Sequence, residues 1–142
     1  MKYVLAFTVG ALAVAASAQA PGYRVETVAS GLEHPWSLAF LPGGRMLVTE
    51  RPGRLRLIEP GPDGRPLLRP EPVAGVPAVL ARGQAGLFDV VVDPAFAVNG
   101  RVMLSFAHGQ PEANHLRVVS ARFDGRRLQA AGRLTSWAHQ AC

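Results

Sequence analysis

Cysteine is all but missing from this 142-residue chain: its one thiol is Cys142, the final residue. No internal disulfide can form, so packing must hold whatever fold the chain adopts. Lysine is equally scarce. Lys2 is the only one, and beyond it every formal base is arginine, facing ten acids. The arginines, Arg24, Arg45, Arg51, Arg54, Arg56, Arg65 and Arg69 among them, are spread over turns and strand ends. Few aromatics lie between them to stack on bases, so the pI near 10.6 does not mark a nucleic-acid surface. Sustained helical periodicity is also lacking after the N-terminal segment. So is an apolar run of membrane-spanning length: the longest, Tyr3 to Ala16, falls short of the ~20 residues a spanning helix needs.

What the chain has in quantity is Pro (12), Gly (15) and apolar residues (49%). That mixture builds many short strands joined by turns around a packed core. The N-terminus stands apart. Lys2, the apolar run, and the small residues of Ala16-Ser17-Ala18 and Ala18-Gln19-Ala20 form the three-part layout of a secretory signal peptide. Residues 1–18 are the expected signal, because cleavage after Ala20 would leave Pro21 directly beyond the scissile bond. Residues 19–142 are then the mature chain, expected in the periplasm or outside the cell, with no stable membrane insertion.

Strand signals follow one another along that chain. Arg24 to Ala29 is rich in Val and Thr and reads as a strand. Trp36–Leu41 and Arg45–Thr49 flank the turn Pro42-Gly43-Gly44. Arg54 to Glu59 alternates polar and apolar, which predicts a half-buried outer strand. Pro60 to Pro72 reads as a loop, and Leu87–Asp93, Arg101–Ala107 and His115–Phe123 as strands. Asp124-Gly125 is a hairpin signal before Arg127 to Ala130.

Two of these pieces repeat. Ser37 to Pro42 followed by Gly44 to Thr49 matches Asp89 to Pro94 followed by Gly100 to Ser105: strand, Pro-containing turn, Gly-Arg, strand. A repeat of about 50 residues with four short strands per unit predicts β-propeller blades, and this chain supplies about two. A closed propeller needs about four to eight. Two blades alone leave an apolar face bare at each end, so self-association through open blade faces is expected of an isolated pair.

Three blocks then occur in order: His34-Pro35-Trp36-Ser37-Leu38-Ala39-Phe40-Leu41-Pro42-Gly43-Gly44, Val48-Thr49-Glu50-Arg51-Pro52-Gly53, and Gly83-Gln84-Ala85-Gly86-Leu87-Phe88-Asp89 running on to Phe96. Together they resemble the N-terminal region of the soluble aldose sugar dehydrogenases, the glucose/sorbosone dehydrogenase family, over residues 24–135. The resemblance implies an all-β, six-bladed propeller of which residues 19–142 form a partial domain. It also implies pyrroloquinoline quinone (PQQ) and calcium as cofactors, an aldose as substrate, and oxidation of the anomeric hydroxyl to a lactone. Gln84 matches a family position that contacts the quinone; its amide can donate and accept, which suits an orthoquinone with adjacent carboxylates. The other reading of Gln84 is a turn cap between Gly83 and Gly86.

No residue is assigned the catalytic base. In the family that histidine opens a His-x-Gly-Gly-Arg strand, whereas here His139-Gln140 lacks the following Gly and Arg. The chain is therefore expected to be inactive alone, and a non-catalytic extracytoplasmic binding module is the alternative. Of the remaining candidates, His34 is read as structural, Trp36 as core, and Asp89 as a loop-holding hydrogen-bond partner. His108 and His115, beside Glu112, are read as exposed loop histidines without a metal-ligand spacing.

Overall fold

The structure, a computed structural model, describes residues 22–137; the expected signal segment, His139 and Cys142 lie outside the described residues. Strands β1 (Pro35–Leu41), β2 (Arg45–Glu50), β3 (Arg54–Pro60) and β4 (Pro66–Leu68) form one four-stranded antiparallel sheet in chain order. Strands β5 (Leu87–Val92), β6 (Arg101–Gln110), β7 (Ala113–Phe123) and β8 (Leu128–Trp137) form a second sheet of the same kind. A single helical turn, α1 (Phe96–Asn99), joins β5 to β6. The two sheets are the two expected blades.

Both Gly-Arg pairs of the repeat do the same local work. Leu41 pairs with Arg45 across a turn in which Gly43 and Gly44 hold φ at 76° and 72°. In the second sheet Gly100 ends α1 at φ 62° and its N–H reaches the Phe96 carbonyl at 2.8 Å. Only glycine takes this left-handed backbone cheaply, and the arginine after it begins the second strand of each sheet. The repeat goes deeper than its sequence. Each first strand carries an irregularity, between Pro35 and Leu38 in β1 and between Leu87 and Val90 in β5. A hydroxyl from the second strand bridges each one: Ser37 N–H donates to Thr49 Oγ1 and Asp89 N–H to Ser105 Oγ, both at 3.0 Å.

The core lies between the sheets. Leu41, Leu47, Leu55 and Leu57 of the first pack on Leu87, Val90, Val102, Leu104 and Phe106 of the second. Leu47, Leu55, Leu87, Leu104 and Phe106 are fully buried, each contributing about 1.5–3 kcal/mol of transfer free energy. The connection from β4 to β5 threads the same seam through Val73, Val76 and Val79. On the far face of the first sheet Met46, Val48 and Ile58 form a smaller cluster with Ala29, Leu32 and Leu68.

Three expectations need correction. Arg24–Ala29 is not a strand: the segment crosses the face of the first sheet, where Ala29 meets the Met46 cluster by side-chain contact, and it pairs with no described strand. The stretch Pro60–Pro72 is not all loop, because β4 pairs with β3 through Ile58↔Leu68, Glu59↔Leu67 and Pro60↔Pro66. As an edge strand, β4 tolerates its proline. Finally, β3 is the third strand of four and is buried on both faces from Leu55 to Ile58. Its alternation is real, but its polar side is covered because Arg56 finds a buried carboxylate.

Candidate functional site

One end of the two sheets gathers the three distinctive sequence blocks, and Arg51 ties them together. Strand β2 ends at Glu50, whose carbonyl accepts the Gly53 N–H at 2.9 Å to close the turn into β3. Within that turn the Arg51 N–H donates to the His34 carbonyl at 3.0 Å, and the Arg51 carbonyl accepts the Leu87 N–H at 3.0 Å. The Arg51 guanidinium donates from Nη1 to the Gly83 carbonyl. This packing requires glycine at 86, since a Cβ there would stand 2.3 Å from the Arg51 carbonyl oxygen and 2.5 Å from its Cγ. His34 takes a positive φ of 47°, unusual without glycine, to aim its carbonyl at Arg51.

Behind the Arg51 turn lies an ionic cluster around Glu50, whose side chain is fully buried. Its Oε1 accepts the Glu33 N–H at 2.6 Å and faces Arg56 Nη1 at 3.4 Å; its Oε2 accepts from Arg54 Nε at 2.6 Å. Arg54 also reaches Glu33 at 2.5 Å. Arg56 is anchored by the Arg69 carbonyl at 2.9 Å, while its Nε is buried without a partner among the described residues. Burial pushes the Glu50 carboxyl up, but the Glu33 amide and the two guanidinium groups outweigh it and hold it below the ordinary glutamate value. The Arg54 guanidinium is in turn raised by its hydrogen bonds to Glu33 and Glu50.

In front of the cluster the side chains are open. Gln84 is exposed in the turn closed by Ala85 N–H and the Arg82 carbonyl at 2.9 Å. Its carboxamide makes no hydrogen bond among the described residues, so it does not cap the turn. Trp36 is 53% exposed instead of buried in the core, and its ring leans on Phe88 at 5.4 Å between centroids. The reason is position: it lies at the start of β1, the first strand of the sheet, where Phe88 of the second sheet meets it. The His34 side chain is exposed, so its structural role runs through its carbonyl. Asp89 sits on the bulge of β5, within the expected strand, facing the Ser105 hydroxyl at 3.5 Å.

His108 and His115 are not loop residues. They are directly paired across β6 and β7, half-buried, with rings edge to face at 5.4 Å. His108 Nδ1 lies 3.5 Å from the Ala78 carbonyl, and Arg117 Nη2 lies 3.5 Å from His115 Nε2. Glu112 at the hairpin tip approaches Arg82 at 3.9 Å. Sequence reasoning missed both this strand pairing and the Glu50 cluster. The signal for the cluster was a lone acid in the apolar run Met46 to Glu50, followed by arginines at alternate positions 54 and 56 of β3.

The donor set can be compared with the implied cofactors. Gln84 and Arg82 present an amide and a cation from one exposed turn, which suits carboxylate and quinone oxygens. A calcium site is a different matter: no three of His, Cys, Asp and Glu come together among the described residues. Among the described residues, Gln84 and Arg82 therefore suit one edge of an acidic quinone, and no cluster of three acidic, imidazole or thiol side chains stands beside them.

Comparison with known proteins agrees with this picture. The family model described as Glucose / Sorbosone dehydrogenase matches residues 32–140. The aldose sugar dehydrogenase YliI of Escherichia coli K12 is 45% identical over 85 residues, which are 59% of this chain and 22% of that protein. A glucose dehydrogenase crystal structure is 45% identical with a TM-score of 0.65, covering 76% of this chain and 32% of its own. The PQQ-bound form of an aldose sugar dehydrogenase from Streptomyces coelicolor is 29% identical with a TM-score of 0.63, covering 80% of this chain and 33% of that one. The chain thus spans a third or less of the proteins it resembles, and what it resembles is their N-terminal portion.

Proposed function

The chain belongs to the glucose/sorbosone dehydrogenase family, and from that membership we propose that it forms the N-terminal two blades of an extracytoplasmic, PQQ-dependent aldose dehydrogenase. The quinone, when bound, would take hydride from the anomeric carbon of an aldose and so yield a lactone. The observation that carries the reading is the convergence of the His34, Arg51 and Gly83 blocks at one end of the sheets, with Gln84 left open there.

In this reading each residue has a limited task. Gln84 donates its amide N–H to the cofactor's oxygens. Arg82 offers charge to a cofactor carboxylate. Arg51 is a positioning residue: its bond to the Gly83 carbonyl holds the turn that presents Gln84. No described residue is assigned the proton-abstracting role or calcium binding, so the 142-residue chain alone is expected to lack turnover. A non-catalytic binding module is the second reading.

Reconstitution tests this. The purified chain is mixed with PQQ and calcium, dye reduction by an aldose is followed, and quinone binding is titrated by absorbance. The expected result is weak quinone binding, weakened a further several-fold by Gln84→Ala, and no aldose-dependent dye reduction. Turnover by the chain alone would overturn its incompleteness. Quinone binding indifferent to Gln84→Ala would overturn the assignment of Gln84, and a folded chain with no quinone binding at all would favour the binding module.

A further inference from the structure

The β6–β7 hairpin sets His108 and His115 directly opposite each other in the ladder. Opposed residues of an antiparallel pair have Cβ atoms about 4.5–5.5 Å apart and leave the same face of the sheet. That face is the inner one, because the fully buried Val102, Leu104 and Phe106 precede His108 on it at alternate positions of β6. The pair therefore belongs to the side of the second sheet that meets the first. It also lies at the Gln84 end. Ala107 donates its N–H to the Gly86 carbonyl and accepts the Leu80 N–H, both at 2.9 Å, which stitches this end of β6 to the turn that carries Gln84.

The two imidazoles are spaced as ligands of one ion would be. With zinc–nitrogen bonds of ~2.0–2.1 Å, two rings on a tetrahedral ion have centres about 5 Å apart. Here the centres are already 5.4 Å apart, with the rings at 74° to each other. Phe106 steadies the first ring edge to face at 6.1 Å. His108 Nδ1 lies 3.5 Å from the Ala78 carbonyl, a partner that draws the ring proton to Nδ1 and leaves the Nε2 lone pair free. His115 Nε2 faces the donor Arg117 Nη2 at 3.5 Å, so it too carries a lone pair. Arg117 is the competitor for that nitrogen and holds it by a long contact, while its own Nε is buried without a partner among the described residues.

We propose that His108 and His115 form a two-imidazole site for a divalent transition ion of the zinc class, linking β6 to β7 beside the Gln84 turn. Imidazole nitrogen suits zinc, nickel and copper, whereas calcium takes oxygen ligands, so the site is separate from any calcium the quinone brings. No third His, Cys, Asp or Glu joins the pair among the described residues. Water completes the coordination, and the ion exchanges freely. Its effect is that of a cross-link. The chain has one cysteine and hence no internal disulfide, and an ion held only by the folded hairpin stabilises that fold by mass action. Through Ala107 and Gly86 the same cross-link braces the turn that presents Gln84.

Zinc titration of the purified, untagged chain tests the proposal. The substitutions His34→Asn, His139→Gln and Cys142→Ser leave His108 and His115 as the only imidazoles, and asparagine tolerates the positive φ at position 34. Calorimetry is expected to give one zinc per chain, and proton NMR to show both imidazole rings shifting together. The thermal midpoint by circular dichroism should rise with zinc, return on chelation with EDTA, and ignore calcium. His108→Gln and His115→Gln, each checked for folding in EDTA, should weaken zinc binding about tenfold or more and remove the thermal shift. A folded chain that binds no zinc would overturn the proposal. So would a zinc ion that moves one ring only, or an affinity untouched by either glutamine variant.

Discussion

Glu50 shows how a single buried charge can be kept at the end of an apolar sheet. Its carboxylate is fully enclosed, and an amide with two guanidinium groups offsets the loss of water. Removing its charge strands Arg56, whose side chain is only 10% exposed. Glu50→Gln is therefore expected to cost about 3 kcal/mol, measured as a shift in the urea midpoint. The pH dependence follows from the depressed carboxyl. Glu50 binds its proton more weakly folded than unfolded, so its contribution is intact above the ordinary value of 4.5 and is lost as pH falls toward the lower folded value. The same titrations on Glu50→Gln should lose that part of the acid sensitivity; an unchanged acid profile would show that other carboxylates carry it.

Among the elements, the bulged first strands carry the most information. Thr49 is fully buried, accepts from Ser37 N–H and donates to the Phe88 carbonyl, so it serves both sheets. Thr49→Val keeps the shape but leaves two backbone groups without partners, an expected loss of about 2–3 kcal/mol. Ser105→Ala removes one such bridge from the outer face and should cost less than half of that by the same denaturant titration. A larger loss at Ser105 than at Thr49 would contradict the shared role of Thr49. Most strands were legible because Gly-Pro turns punctuate them and the Gly-Arg repeat fixes their phase. The exceptions have physical causes. Arg24–Ala29 has the residues of a strand but lies across the face of the first sheet, and β4 hides inside a Pro-rich stretch because an edge strand needs few hydrogen bonds. At the site, Gln84 could be singled out from its block, whereas Arg51 could not. Its importance comes from three contacts to residues distant in sequence, and Gly86 matters because of what would strike its Cβ. His108 and His115 were misplaced because a long hairpin continues through polar residues that read as loop.

For the molecule as a whole, stability is concentrated in one seam. Each sheet buries its best apolar residues against the other, and on its far face the first sheet has only the smaller Met46 cluster. A fragment of residues 22–68, the first sheet without the second, is expected to give no cooperative thermal transition by circular dichroism, whereas residues 22–137 should give one. A cooperatively melting first sheet would show that the seam is dispensable. The strict chain order of both sheets bears also on how the fold is reached in time. Every ladder joins a strand to its immediate successor, so each hairpin closes over a short loop and can form quickly. The one slow event is the meeting of two ready-made ribbons, with the stretch from Arg69 to Gly86 as the tether whose closure entropy must be overcome. During synthesis the first ribbon leaves the ribosome before its partner exists, and until β5 and β6 follow, its leucine face waits uncovered.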